Sequence, residues 1–101
     1  MLPSELLEDV KNHLDISWID PASDLKIEGI IGRGMSRLNS LAGVELDYSI
    51  EDMPKALLME YCFYARASAL DEYEINYLPM LLFLQVREEV KAYEAQISIL
   101  P

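Results

Sequence analysis

Cys62 and His13 are the side chains best suited to covalent chemistry, and the chain has one of each type. Together they would make a thiol nucleophile and its base. Cys62, however, lies within the apolar run 57–64, where a free cysteine behaves as a small core residue. His13 stands near the end of the first predicted helix, where the helix dipole and solvent account for it. No third residue is identifiable to orient the imidazole, and a single histidine leaves no Ser-His-Asp arrangement to assess. One cysteine also excludes an intrachain disulfide and a cysteine-based zinc site, and it agrees with a reducing compartment.

Two further patterns invite chemistry. Gly29-Ile30-Ile31-Gly32-Arg33-Gly34 has the glycine density of a phosphate loop. A phosphate cradle needs a strand before it and a helix beginning at it. Here the glycines interrupt a helical pattern, and the Lys-Ser/Thr of a P-loop is missing. The carboxylates fall into two clusters, Glu45, Asp47, Glu51 and Asp52, then Asp71, Glu72 and Glu74. The first lacks the calcium-loop order with a central glycine and a terminal glutamate, and the second has no recognisable ligand spacing. Solvated charge is the default for both. The expectation is a non-enzyme without metal or cofactor.

The 101 residues suffice for one domain. Half of them are apolar (51%), too many for a disordered acidic tail. Eighteen acids against eight bases give a formal charge of −10, which repels nucleic-acid phosphates and argues against sequence-specific DNA or RNA binding. Met1-Leu2-Pro3-Ser4-Glu5 is not a basic start to a signal peptide, and no apolar run spans a bilayer, so a soluble intracellular protein is expected. Glycine and proline are scarce, nine together, which favours helices.

The punctuation predicts an all-α, small four-helix bundle-like domain. The first helix covers residues 3 to 14, with Leu6, Leu7, Val10 and Leu14 at helical spacing and Ser4 able to cap. The second covers residues 21 to 42, from an Asp20 cap and Pro21 to a Gly43 stop. Ile27, Ile30, Ile31, Met35, Leu38, Leu41 and Ala42 share one arc of it. Opposite them runs a stripe of small residues, Gly29, Gly32, Ser36 and Ser40, whose two glycines cost roughly 2 kcal/mol. Close approach of another subunit's backbone would offset that cost; tolerated surface glycines are the plainer reading. Residues 44 to 52 are an acidic loop. The third helix, 54 to 70, is apolar nearly all round, including Tyr61 and Tyr64. A domain of this size has little interior in which to surround a helix, so it too suggests an oligomer. An acidic-aromatic break at 71–77 precedes a fourth helix from about Leu78 to Tyr93, with Leu82, Val86, Val90 and Tyr93 on one side. Residues 1–95 then form the domain. Gln96-Ile97-Ser98-Ile99-Leu100-Pro101 form an extended tail able to add a strand to a partner's edge.

Three segments carry a resemblance: LLEDVKNHLDI, DLKIEGIIGRGMSRLNSLAG and ALLMEYCFYARASALDEYEINYLPMLLFLQ. An aspartate-led helix ending in a glycine turn, followed by a long apolar helix with an arginine, a small-residue and Asp/Glu-Tyr break, and a Leu-rich helix, resembles the head–tail connector (adaptor) proteins of long-tailed bacteriophages. The helix glycines and Pro79 depart from that pattern. The resemblance implies a structural virion protein without enzymatic activity, made in the host cytoplasm. It implies a homo-oligomeric ring, usually of twelve copies, docked under the portal protein and offering a surface to a stopper or tail-completion protein. Double-stranded DNA would pass its channel without specific binding, and no membrane is involved. In that setting Gly29, Gly32, Ser36, Ser40, Tyr61 and Tyr64 are candidate subunit contacts, either acidic cluster is a candidate channel lining, and residues 96–101 are a candidate portal-docking tail. The alternative is a monomeric acidic binding module, such as a DNA-mimic inhibitor or an adaptor for a host protein.

Overall fold

A computed structural model describes residues 1–98 of the chain. Pro3 opens a 3-10 turn, Pro3–Leu6, in which the Glu5 carboxylate accepts from the backbone N–H of Leu2 at 3.1 Å. Ser4 makes no cap, so the cap expected there belongs to Leu2 and Glu5. The turn runs into α1, Leu7–His13. α1 closes with Asp15 in the left-handed region (φ 58°) and the Ile16 N–H donating to the Lys11 carbonyl, a Schellman-type stop.

α2, Pro21–Ala42, begins and ends as the sequence predicts. The Asp20 carboxylate accepts from Ala22 N–H at 3.2 Å, and Gly43 takes φ 74° at the far end. Its apolar arc is the centre of the core: Ile27, Ile31, Met35, Leu38 and Ala42 are buried, with Ile30 and Leu41 packed beside them. The 44–52 segment is a loop pinned by two buried side chains, Leu46 and Tyr48. The Tyr48 hydroxyl donates to Asn39 Oδ1 at 2.7 Å, and the same oxygen accepts the Leu46 N–H at 3.1 Å. One asparagine on α2 thus fixes the course of the loop. Burial pushes the Tyr48 phenol well above its ordinary pKa, so it stays a neutral donor.

α3, Met53–Arg66, is shorter than the 54–70 reading. No glycine marks its end; Ser68 takes the left-handed conformation (φ 56°) and Ala69 N–H donates back to the Tyr64 carbonyl. The acidic-aromatic segment is not a break but a helix, α4, Leu70–Asn76. Tyr73 holds it: the ring is buried and its hydroxyl donates to the Leu57 carbonyl at 2.9 Å. α5, Leu78–Ser98, completes the chain.

The all-α expectation is therefore met, with five α-helices and no strand among the described residues. Two expectations are corrected. The bundle has five helices, because the buried Tyr73 ring anchors the helix of residues 70–76 to the core. Gln96, Ile97 and Ser98 are helical rather than extended, and α5 runs across the 95/96 boundary drawn from sequence. Hydrogen bonding within an established helix outweighs a short β-like alternation that has no neighbouring strand to join. Ile99, Leu100 and Pro101 lie outside the described residues.

α3 is enclosed by its own protomer. Leu57, Leu58 and Cys62 are wholly buried, and α3 touches α1, α2, α4 and α5. Its all-round apolarity is thus satisfied largely within one chain. α5 is the opposite case. Leu81, Leu84 and Glu88 face the body, while residues 89–98 are all exposed. The Cα radius of gyration, 15.1 Å, exceeds the about 13 Å expected of a rounded domain this long, and the molecule measures 55 × 27 × 19 Å.

Candidate functional site

The residues able to do covalent chemistry are not assembled. Cys62 is buried on the inner side of α3, and burial pushes its thiol up to about 12, far from a reactive thiolate. His13 Nε2 lies 3.1 Å from Glu60 Oε1, and Glu60 Oε2 accepts the Tyr77 hydroxyl at 3.1 Å. This string ties the end of α1 through α3 to the α4–α5 junction. Among the described residues no group of three His, Cys, Asp or Glu side chains could hold a metal ion. One depression, about 380 Å³ and open to solvent, is lined by Leu14, Phe63, Arg66 and Ala67, which offer one cation and no nucleophile.

The acidic clusters are largely partnered. Glu45 meets the N-terminal ammonium at 3.4 Å. Asp47 accepts from the hydroxyl and the backbone N–H of Ser49. Glu51 and Asp9 share Lys55, at 2.6 and 3.0 Å. Asp52 lies 3.3 Å from Arg87. Glu74 makes a bidentate pair with Arg37, at 2.9 and 3.0 Å, joining α4 to α2. Asp71 and Glu72 are exposed in the first turn of α4. The 45–52 loop thus presents mixed charge beside Arg87 and Lys91, with Asp71 and Glu72 the more openly acidic pair.

Hydrogen bonds from Ser49 lower the Asp47 pKa, and the Met53 N–H followed by Arg87 lowers that of Asp52. A carboxylate whose folded pKa lies below its unfolded value adds stability above the unfolded pKa, and loses it as pH falls through the folded one. The double variant Asp47→Asn/Asp52→Asn should therefore lose less thermal stability than the parent chain between about pH 5 and pH 2, followed by circular dichroism. Equal losses would remove both groups from the acid response.

The expected subunit contacts divide. Tyr61 is enclosed by its own protomer, edge-on to Tyr73 with ring centroids 5.5 Å apart, so it presents no outer face. Tyr64 retains some surface beside Phe63, a residue that is 52% exposed. Ser36 and Ser40 are exposed, and Gly29 and Gly32 partly so. A Cβ on Gly32 would sit 3.5 Å from Pro3, and one on Gly29 would meet only the Arg33 guanidinium, at 3.3 Å. The glycine that another element does approach closely is Gly34, at the middle of the apolar arc. A Cβ there would lie 2.7 Å from both Leu58 and Tyr61 of α3. Sequence reading missed it, although its place on the helical wheel, between Ile30 and Leu38, carried the signal.

The largest apolar surface left outside the core is on α5. Leu82, Val86, Val90 and Tyr93 share one side, as their spacing predicts; that side faces solvent and is extended by Phe83 and Ile97. Trp18, Ile19 and Leu25 expose a second apolar group around the start of α2. Comparison with known protein families, curated proteins and solved structures finds no match to this chain.

Proposed function

We propose that the chain is a structural assembly subunit: it completes its apolar burial against other proteins and acts on no small molecule. The observation that carries this reading is the solvent-facing stripe of α5, six large apolar side chains on one side of a single helix. Scattered apolar residues are ordinary on a monomer, whereas a contiguous stripe marks an interaction surface. No helix among the described residues is long and apolar enough to cross a membrane.

Within that class, the resemblance of the three segments to head–tail connectors supports the narrower reading: a ring subunit beneath the portal of a long-tailed phage, in the virion. A closed ring needs two different faces on each copy, because its contacts are head-to-tail. The α5 stripe and the Trp18–Ile19–Leu25 group are two such faces. Twelve copies would carry a formal charge of about −120, which disfavours adhesion of the DNA that passes through. The exposed acids Asp71 and Glu72 are the best placed of the two clusters to line that channel.

Co-sedimentation is the test. Portal-bearing heads encoded by the same genome should carry the chain into the pellet, and heads lacking the portal should not. A chain that remains in the supernatant with both, or a gene with no portal, capsid or tail genes around it, refutes the connector reading. A stable complex with one soluble host protein would instead favour the monomeric acidic module.

A further inference from the structure

Phe83, Val86, Val90, Tyr93 and Ile97 follow one another at steps of 3, 4, 3 and 4 residues, the a/d spacing of a coiled-coil seam. All five are exposed, from 47% at Ile97 to 64% at Tyr93. The seam turns away from the body, because Leu81, Leu84 and Glu88 occupy the inward side of α5. At roughly 100 Å² for each seam residue and for the adjoining Leu82, the stripe amounts to roughly 600 Å², the upper end of what monomers leave uncovered. Two copies burying it against each other would remove roughly 1,200 Å², where specific protein pairs begin. The second half of α5 gives an independent reason for a helical partner. Residues 89–98 are helical yet wholly exposed, and an isolated helix that short is marginal in water.

The charges beside the seam choose the partner and its direction. Arg87 and Glu94 flank one edge, and Glu89 and Gln96 the other. A parallel pair of copies would set Glu89 against Glu94 of the partner subunit, twice over, which is repulsive. An antiparallel pair sets Arg87 against Glu94 of the partner subunit, again twice, which is attractive. Arg87 can serve there: its contacts to Asp52 and Glu88 are long, at 3.3 to 3.4 Å, and its guanidinium has five N–H donors.

We infer that two copies of this chain pair antiparallel through α5, with the Phe83–Ile97 seams interlocked and Arg87 facing Glu94 of the partner subunit twice along one edge. The contact is isologous and closes with two copies, so it differs from a head-to-tail ring contact and does not depend on the connector reading. One consequence does rest on that reading: the pair hides one of the two faces a ring needs, and so keeps the free protein from assembling before it meets its platform.

Sedimentation velocity of the full chain, with far-ultraviolet circular dichroism as the control for folding, tests the inference. The parent chain should be a dimer at roughly 0.1 mM. Val90→Glu changes an exposed seam position, so it should leave the bundle folded and abolish the dimer. Glu94→Arg sets arginine against Arg87 of the partner subunit and should weaken the dimer about tenfold or more. In a parallel pair the same change would meet Glu89 of the partner subunit and strengthen it. A monomeric parent chain, a Val90→Glu variant that dimerises undiminished, or a Glu94→Arg dimer tighter than the parent's each overturns the antiparallel pair. A larger ring formed by the free parent chain also overturns it while favouring the connector reading. A Glu94→Arg monomer that still sediments with portal-bearing heads upholds both.

Discussion

Replacing Gly34 by leucine is expected to unfold the domain, while Gly32→Ala, two residues away on the same helix, is expected to stabilise it. A Cβ on Gly34 would already stand 2.7 Å from Leu58 and from the Tyr61 ring, both buried. Alanine there gains about 1 kcal/mol of helix propensity but forces α2 and α3 apart, at about 1–3 kcal/mol. The net result should be a lower melting temperature. Leucine adds three more carbons to the same gap and should cost well over 3 kcal/mol, a large part of a small domain's stability. At Gly32 the nearest atom is Pro3 Cγ at 3.5 Å, an ordinary contact, so alanine keeps its propensity gain of up to about 1 kcal/mol. Thermal melting of the three variants decides it. Equal tolerance at positions 32 and 34 would mean that α2 and α3 do not meet through Gly34.

Asp24→Ala is expected to lower stability by about 3 kcal/mol, and Lys11→Met to leave it level or raise it. Lys11 is 4% exposed, and its ammonium lies 3.0 Å from Asp24 Oδ1, a contact that fastens α1 to the first turn of α2. Removing the carboxylate leaves a buried charge without its partner. Removing the charge and keeping an apolar stem of similar length leaves Asp24 at the N-terminal end of α2, where the helix dipole suits it. In a chain of this length 3 kcal/mol corresponds to a fall of roughly 15 °C in Tm. On the Lys11→Met background, Asp24→Ala should cost only the dipole contribution, less than about 1 kcal/mol. Equal costs on the two backgrounds would show that the pair carries no coupling.

Much of this architecture can be read from residue types. Asp20, Pro21 and Gly43 bracket α2 because a cap, a fixed φ and a left-handed stop are local requirements with few residue solutions. The core arc of α2 follows from periodicity alone. The end of α3 is hidden because Ser68 takes the left-handed conformation that glycine usually signals. α4 is hidden because its acidic, aromatic composition describes its surface, whereas Tyr73, a single buried side chain, determines its state. α5 is legible as a helix, but periodicity identifies an apolar side without saying what it faces. Leu81 and Leu84 claim the body, and the longer apolar side is left outside. The partners of the acidic residues, such as Arg37 for Glu74, are also beyond sequence reading, because 37 residues separate them and the fold alone brings them together.

The central claim, that this chain finishes its burial in a larger structure, is tested most directly by a three-dimensional reconstruction of portal-bearing heads after incubation with the protein. The account predicts a closed ring of copies beneath the portal, with Phe83, Val86 and Val90 of each copy covered by protein. Heads without added density, or a ring in which that side of α5 still faces solvent, would contradict it.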